Sequence, residues 1–466
     1  MRLTVTGKVQ GVGFRPFVYR LASEEGVAGA VQNTPQGVSI DAEGCSAALT
    51  AFEARLRTEA PPLAMIDRME RTALSPTGAV AFEIRESPDD GDISASLTPD
   101  AAVCADCLEE ISDQRARRFR YPFTNCSHCG PRYSILRSLP YDRANTTMSH
   151  FKMCAACREE YEEPCDRRFH TQPIACPDCG PQVFLVDRHG ALIAERDEAL
   201  RMSAEQIRNG AIVAIKGLGG FHLMCDARNN ESIMAIRRRK QRPAKPFAVM
   251  FRSIETIEKF CKPTPLEREI VSSSQAPIVL MKKRDNVNIS DALAPDNPWL
   301  GALLPYTPLH QLLLDDVDFP IVVTSGNRRS EPIAIDNDVA LSRLSEIADI
   351  FLMHDRPIAR PVEDSVVRTA ANAPLMLRRA RGFAPGVFQL QEGAPSIFAV
   401  GGHLKNTIAK SIGGRAFVSP HIGDLDTIEA RQAFDMTAHD FLTLHNTHPT
   451  AFACDNNSDY ASSQYA

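Results

Sequence analysis

The chain has 466 residues, a formal net charge of −6, 24% charged and 44% hydrophobic residues, the make-up of an ordinary globular protein. That length gives room for about three domains, each able to bury its own core. The mild negative charge argues against a broad nucleic-acid footprint, no apolar run approaches the roughly 20 residues of a membrane helix, and the opening Met1-Arg2-Leu3-Thr4-Val5-Thr6 reads as a strand rather than a leader, so the expected compartment is the reducing cytoplasm.

Residues 2–9 alternate as a strand, Gln10 to Arg15 form a glycine-bearing loop, and Pro16 to Glu25 have the proline-first spacing of a helix. Val27 to Asn33 and Val38 to Ala42 flank the turn Thr34-Pro35-Gln36-Gly37. A helix near 46–57 and strands near 67–73 and 79–85 complete the ferredoxin-like β-α-β-β-α-β order. A loop between a strand and a helix N-terminus offers backbone N–H groups to an anion. Arg15 adds a guanidinium fork suited to phosphate. The loop Gln10-Gly11-Val12-Gly13-Phe14-Arg15, after Val9, resembles the acylphosphatase signature, and Gly29 to Asn33 resemble that family's second motif. The resemblance implies that Arg15 holds a phosphoryl group and Asn33 orients the attacking water.

Eight of the thirteen cysteines fall in four C-x2-C pairs, Cys104/Cys107, Cys126/Cys129, Cys154/Cys157 and Cys176/Cys179. The gaps of 18, 24 and 18 residues make the second half a copy of the first at an offset of 50. The same offset relates Glu109-Glu110 to Glu159-Glu160, Arg117-Arg118-Phe119 to Arg167-Arg168-Phe169, and Gly130-Pro131 to Gly180-Pro181. Two such pairs close an all-sulfur tetrahedral shell with no open position, so two structural Zn2+ ions are expected rather than a disulfide framework. Self-similarity argues for one ion per repeat, although spacing alone also permits pairing between repeats. Gly130 and Gly180 suit a positive φ at a chain reversal. Cys45, Cys165, Cys225, Cys261 and Cys454 are expected to be small buried residues, since no neighbouring motif would activate them.

From about Phe184 strands alternate with helices, at 211–215, 231–239 and 247–250, as in an α/β domain. The basic run Arg237 to Lys245 leads into the apolar Phe247-Ala248-Val249-Met250, placing positive charge at a strand's mouth. Thr324-Ser325-Gly326-Asn327 follows the apolar Pro320 to Val323, at the kind of strand end where ligands bind in open α/β sheets. With Lys216, the K-x-R-x-x-K-P segment, Glu363 to Val367 and Leu377 to Gly382, residues 199–385 resemble the YrdC family, which binds ATP and forms carbonyl-derived adenylates. The resemblance implies that Lys240, Arg242 and Lys245 grip a triphosphate, and that Lys216, Ser325, Asn327 and Ser365 belong to the nucleotide or acyl site. A plain reading of the arginine run as a non-specific RNA patch stands beside it.

After Pro385, Ile397 to Thr407 and Ser419 to Leu425 resemble the beginning of an actin-like ATPase module. Too few residues follow to close such a module, and no paired-histidine metal site comes later. The expected fold is therefore α+β and α/β, multidomain, with units at 1–92 (acylphosphatase-like), 93–188 (tandem four-cysteine modules), 189–386 (YrdC-like) and 387–466 (part of an actin-like domain). This order resembles the HypF family of carbamoyltransferases in nickel–iron hydrogenase maturation. The resemblance implies hydrolysis of carbamoyl phosphate to carbamate, then formation of carbamoyl adenylate from ATP with Mg2+, and in longer relatives transfer to the C-terminal cysteine of HypE. Carbamate is short-lived in water, which predicts a buried route from near Arg15 to near Lys245, with the zinc modules as rigid spacers. Two other classes fit parts of the pattern: a threonylcarbamoyl-adenylate synthase of RNA modification with appended domains, and a zinc-dependent scaffold with decayed catalytic loops.

Overall fold

The computed structural model describes residues 1–87, 97–391, 393–444 and 448–466, so the expected boundary at 92/93 lies outside the described residues. The first unit runs β1 (Arg2–Lys8), α1 (Phe14–Glu25), β2 (Ala28–Thr34), β3 (Gly37–Glu43), α2 (Ser46–Thr58), β4 (Met65–Thr72) and β5 (Phe82–Ile84). The sheet order is β4-β1-β3-β2-β5, the expected ferredoxin-like arrangement with a fifth strand parallel to β2 at the edge. Alternate residues of β1 and β3, Leu3, Val5, Val38 and Ile40, are fully buried and pack with Phe14, Val18 and Leu21 of α1. Helix α1 starts two residues earlier than the proline implied, because Gly13, in the left-handed region at φ 75°, serves as its N-cap.

The two cysteine repeats each carry one short α-helix, α3 (Ala105–Ser112) and α4 (Ala155–Glu162). Apart from their sulfur clusters they lack a separate core among the described residues: Ile111, Tyr121, Phe123, Met148 and Ala175 join the core of the following α/β unit. Gly130 has the expected positive φ of 94°. Gly180 does not; it is required by space, since a Cβ there would lie 2.2 Å from the Tyr121 hydroxyl and 2.5 Å from Ala175 Cβ.

The α/β unit includes β6 (Val183–Asp187), β7 (Leu192–Glu195), α5 (Arg196–Arg208), β8 (Val213–Lys216), β9 (Phe221–Asp226), α6 (Asn230–Arg239), β10 (Ala248–Met250), β11 (Ile278–Lys282), β12 (Trp299–Leu303), β13 (Ile321–Ser325), β14 (Ile350–His354), β15 (Val366–Ala370) and β16 (Ala373–Arg378). Its eleven strands run β16-β15-β11-β12-β10-β13-β9-β8-β14-β6-β7. Sheet membership therefore brings 183–187 into this unit, ahead of residue 189. Only β10/β12, β11/β15 and β8/β14 pair in parallel, so the sheet is mixed. Strands buried on both faces, such as β8 and β9, read as continuous apolar runs whichever way they pair. β8 and β9 are antiparallel because only residues 217–220 join them, a connection too short for the crossover that parallel strands need.

The last unit is a sheet ordered β17-β20-β19-β18-β21, from β17 (Gly386–Gln389), β18 (Ile397–Ala399), β19 (Ala409–Ile412), β20 (Arg415–Val418) and β21 (Ala451–Ala453), with the helix Ile428–Thr443 against it. Phe398, Phe417, Phe434 and Phe441 share a core with Tyr133, Tyr141 and Val362, tying this unit to the zinc modules and the α/β unit. Of the five remaining cysteines only Cys225 and Cys261 are buried; Cys45, Cys165 and Cys454 are exposed, on the cap of α2, a loop of the second repeat and the segment after β21. No described helix is long and apolar enough to cross a membrane.

Candidate functional site

The four-cysteine sets form within repeats: Cys104, Cys107, Cys126 and Cys129 in one, Cys154, Cys157, Cys176 and Cys179 in the other. Sulfur–sulfur separations are 3.5–3.7 Å in the first and 3.7 Å in the second. Four sulfurs about 2.3 Å from one Zn2+ stand about 3.8 Å apart in a tetrahedron. Both sets fit that ion, and with four thiolates each would be a closed structural site. The duplicated residues cross between repeats. Arg118, 1% exposed, donates to Glu160 and Glu110 and to Ala175 O, and Arg168 donates to Glu110 and to Asn125 O. Arg117 reaches Cys157 Sγ at 3.4 Å and Arg167 reaches Cys107 Sγ at 3.1 Å. Each sulfur shell is thus neutralised in part by a guanidinium from the other repeat.

Arg15 and Asn33 line one cavity of about 30 Å3. The N-cap glycine aims the first N–H groups of α1, which have no intrahelical partner, at the same place. Gly11, Gly13 and Phe14 line this cavity, whereas Val12 does not, and the side chains of Val12 and Phe14 are buried in the core. Gln10 contributes differently: its Nε2 donates 2.8 Å bonds to Thr34 O and Gly37 O, holding the hairpin to the loop. Asn33 is 1% exposed, and neither its Oδ1 nor its Nδ2 has a hydrogen-bond partner. A buried amide left unpaired costs a few kcal/mol, on the order of 1–3, unless water or a ligand completes it.

The far wall of this cavity is the zinc unit, which sequence reasoning treated as a spacer. Arg132 clamps Gly11 O and the carbonyls of Cys129 and Pro131, while His170, Thr171 and Gln172 come from the second repeat. Asp142 accepts from Arg15 at 2.7 Å and from Ser87 Oγ at 2.5 Å. Burial and the nearby Arg15 push the His170 imidazole down to about 4, so it is neutral at neutral pH. No local motif announces these residues; they converge only through the packing of two units.

A larger cleft of about 850 Å3 lies over β10, β13 and the basic loop. It gathers Lys240, Arg242, Lys245, Ser325 and Asn327. Lys245 is exposed, while Arg242 stacks 4.9 Å over the Phe247 ring. Lys240 donates to Ser325 O at 2.7 Å and to Asn327 O and Oδ1, so it also ties the strand end in place. Burial and then Arg242 push Lys240 down to about 7, and burial lowers Arg242 to about 10. These are groups crowded by like charge, a setting that favours a polyanion. Two expected members stand elsewhere. Ser365 is fully buried, with its hydroxyl donating to Arg381 O and accepting from Ala380 N, which shapes the backbone rather than the cleft. Lys216 faces a third cavity. Unanticipated members are Lys405, His421 and Asp424, which the last unit contributes to the rim.

That third cavity, about 20 Å3, has walls that adjoin those of the other two. Gly130 and Pro131, adjoining Arg132 of the first cavity, line it, as does Tyr306. The Tyr306 hydroxyl is 3.5 Å from His222 Nε2, and His222 lines the cleft and is held by Asp364 at 3.4 Å.

Four family models match the chain: Acylphosphatase over 1–84, HypF finger over 103–136 and 153–186, Telomere recombination over 205–380, and HypF Kae1-like domain over 392–466. A curated carbamoyltransferase HypF of Synechocystis sp. is 49% identical over 465 residues, covering 100% of this chain and 60% of the relative. One of Rhodobacter capsulatus is 47% identical over 471 residues, covering 100% and 62%. A crystal structure of full-length HypF in the phosphate- and nucleotide-bound form superposes with a TM-score of 0.96 at 43% identity, covering 100% of this chain and 61% of that one. The chain thus spans about 60% of the length of the relatives it matches.

Proposed function

The chain belongs to the HypF carbamoyltransferase family, and from that premise we propose that its first and third units carry out two successive steps on a one-carbon acid. In the first, water attacks the phosphorus of carbamoyl phosphate and the bond from phosphorus to the bridging oxygen breaks, releasing phosphate and carbamate. The Arg15 guanidinium and the N–H groups of α1 hold the phosphoryl oxygens, and Asn33 orients the water. In the second, a carbamate oxygen attacks the α-phosphorus of ATP, brought with Mg2+, and pyrophosphate leaves. Lys245 and Arg242 then stabilise charge on the departing pyrophosphate, with Lys240 shaping the loop that presents Asn327. In the whole protein the carbamoyl group would pass on to HypE, in the cytoplasm.

The observation that carries this reading is Asn33: a buried amide with both polar atoms unpartnered, in the same cavity as Arg15. Passage of carbamate under cover is supported by the run of wall residues from Arg132 through Pro131 and Tyr306 to His222. The test is carbamoyl-phosphate-dependent exchange of pyrophosphate into ATP on this chain, with phosphate release followed in parallel. Arg15→Ala should abolish phosphate release and leave ATP binding intact, because the two anchors lie in different units. Exchange that requires threonine instead of carbamoyl phosphate would favour the synthase reading, and a chain that releases no phosphate would be a scaffold.

A further inference from the structure

The small third cavity contains an electrostatic arrangement that the two-step reading does not use. Lys216, at the end of β8, and Arg356, just beyond β14, both line it and are 4% and 5% exposed. A buried cation is normally paired with a carboxylate, because desolvation otherwise disfavours it strongly. Among the described residues neither has a carboxylate within ion-pair distance. Lys216 Nζ donates to His354 O at 3.2 Å. The Arg356 guanidinium lies 5.2 Å over the Phe123 ring, and its buried Nε has no hydrogen-bond partner. His354, 1% exposed and lining the same space, has an unpartnered Nδ1. Asp355, Asp336 and Asp100 act on these cations only at longer range. Burial is the main cause that pushes Lys216 down to about 8 and Arg356 down to about 10, and for Lys216 the neighbouring Arg356 comes next. Two desolvated cations that repel each other are what a small anion between them would relieve.

We propose that this cavity is a binding station for a small planar carboxylate-type anion, held by Lys216 and Arg356. Its small size excludes a nucleotide. Resting on the function proposed above, the anion is carbamate, made on one side and consumed on the other; bicarbonate from solvent has the same chemistry. No bond forms or breaks at the station. It lowers the escape of the intermediate by offering fixed positive charge away from water.

Two experiments test this. Crystals soaked in sodium bromide should give an anomalous peak within contact distance of both Lys216 Nζ and the Arg356 guanidinium, absent in Arg356→Met; no peak in the wild type overturns the station. In solution, Arg356→Met should keep phosphate release from carbamoyl phosphate and keep ATP binding. It should lower the pyrophosphate exchanged per phosphate released at least tenfold, with Arg356→Lys restoring most of it. An unchanged ratio overturns the proposal, and a shape-preserving apolar replacement of an unpaired buried cation should not lower the melting temperature. Carbon-13 supplied as carbamoyl phosphate should appear in the adenylate without dilution by unlabelled bicarbonate; full dilution would mean that the station fills from solvent and overturns its role in the relay. If the wild type exchanges no pyrophosphate at all, the two-step reading fails, and the bromide result alone decides the station.

Discussion

Arg118→Met removes the charge that bridges the two repeats while keeping the length of the side chain. The wild-type guanidinium is 1% exposed and donates to Ala175 O at 2.7 Å, to Glu110 and to both oxygens of Glu160. Arg118 and Arg117 hold the Glu160 carboxyl at about 2, against an ordinary 4.5, overcoming the opposing effect of burial. That depression is equivalent to about 3 kcal/mol, in line with the ~3–5 kcal/mol for removing one partner of a buried pair. The carboxylate is the depressed group, so this stability is present above pH 4.5 and is lost as the pH falls towards 2. At pH 7 the variant should therefore show the full deficit: about a hundredfold larger opening equilibrium for amides around α4, read by hydrogen exchange, and faster loss of zinc to a chelator. Glu160→Gln in the same background should add little, because the pair acts as a unit. Exchange and zinc release within threefold of the wild type would refute the view that the arginine bridge locks the repeats together.

Gly180→Ala should cost about 1–3 kcal/mol as overpacking, because the new methyl would lie 2.2 Å from the Tyr121 hydroxyl; a melting temperature equal to wild type would count against that contact. Asp142→Asn removes a carboxylate beside Arg15, so inorganic phosphate should bind several-fold tighter by calorimetry, on the order of 1 kcal/mol for a partly exposed pair. Unchanged or weaker binding would mean that Asp142 positions the arginine instead. Cys104→Ser should reduce bound zinc from two ions to one per chain and destabilise the first repeat, since metal binding and folding are coupled; metal analysis decides.

The eight cysteines, the 50-residue offset, the acylphosphatase-like loop with Arg15 and Asn33, and the strand-to-loop segments around Lys245 and Asn327 were all legible along the chain, because each is a local pattern whose chemistry needs neighbouring residues. Even the partners in the arginine bridge stood in the duplicated motifs. That Arg118 and Arg168 cross to the other repeat was not legible, since spacing within a repeat carries no record of how two repeats face each other. The same reason explains Ser365 and Lys216. Both lie in segments that resemble a nucleotide-binding family, yet backbone hydrogen bonds absorb the Ser365 hydroxyl, and the end of β8 turns Lys216 to the zinc unit. Tertiary packing alone decided that the zinc modules supply His170 and Arg132 to the first cavity and Pro131 to the third, because walls between units are built from residues far apart in sequence whose only common property is where the cores meet.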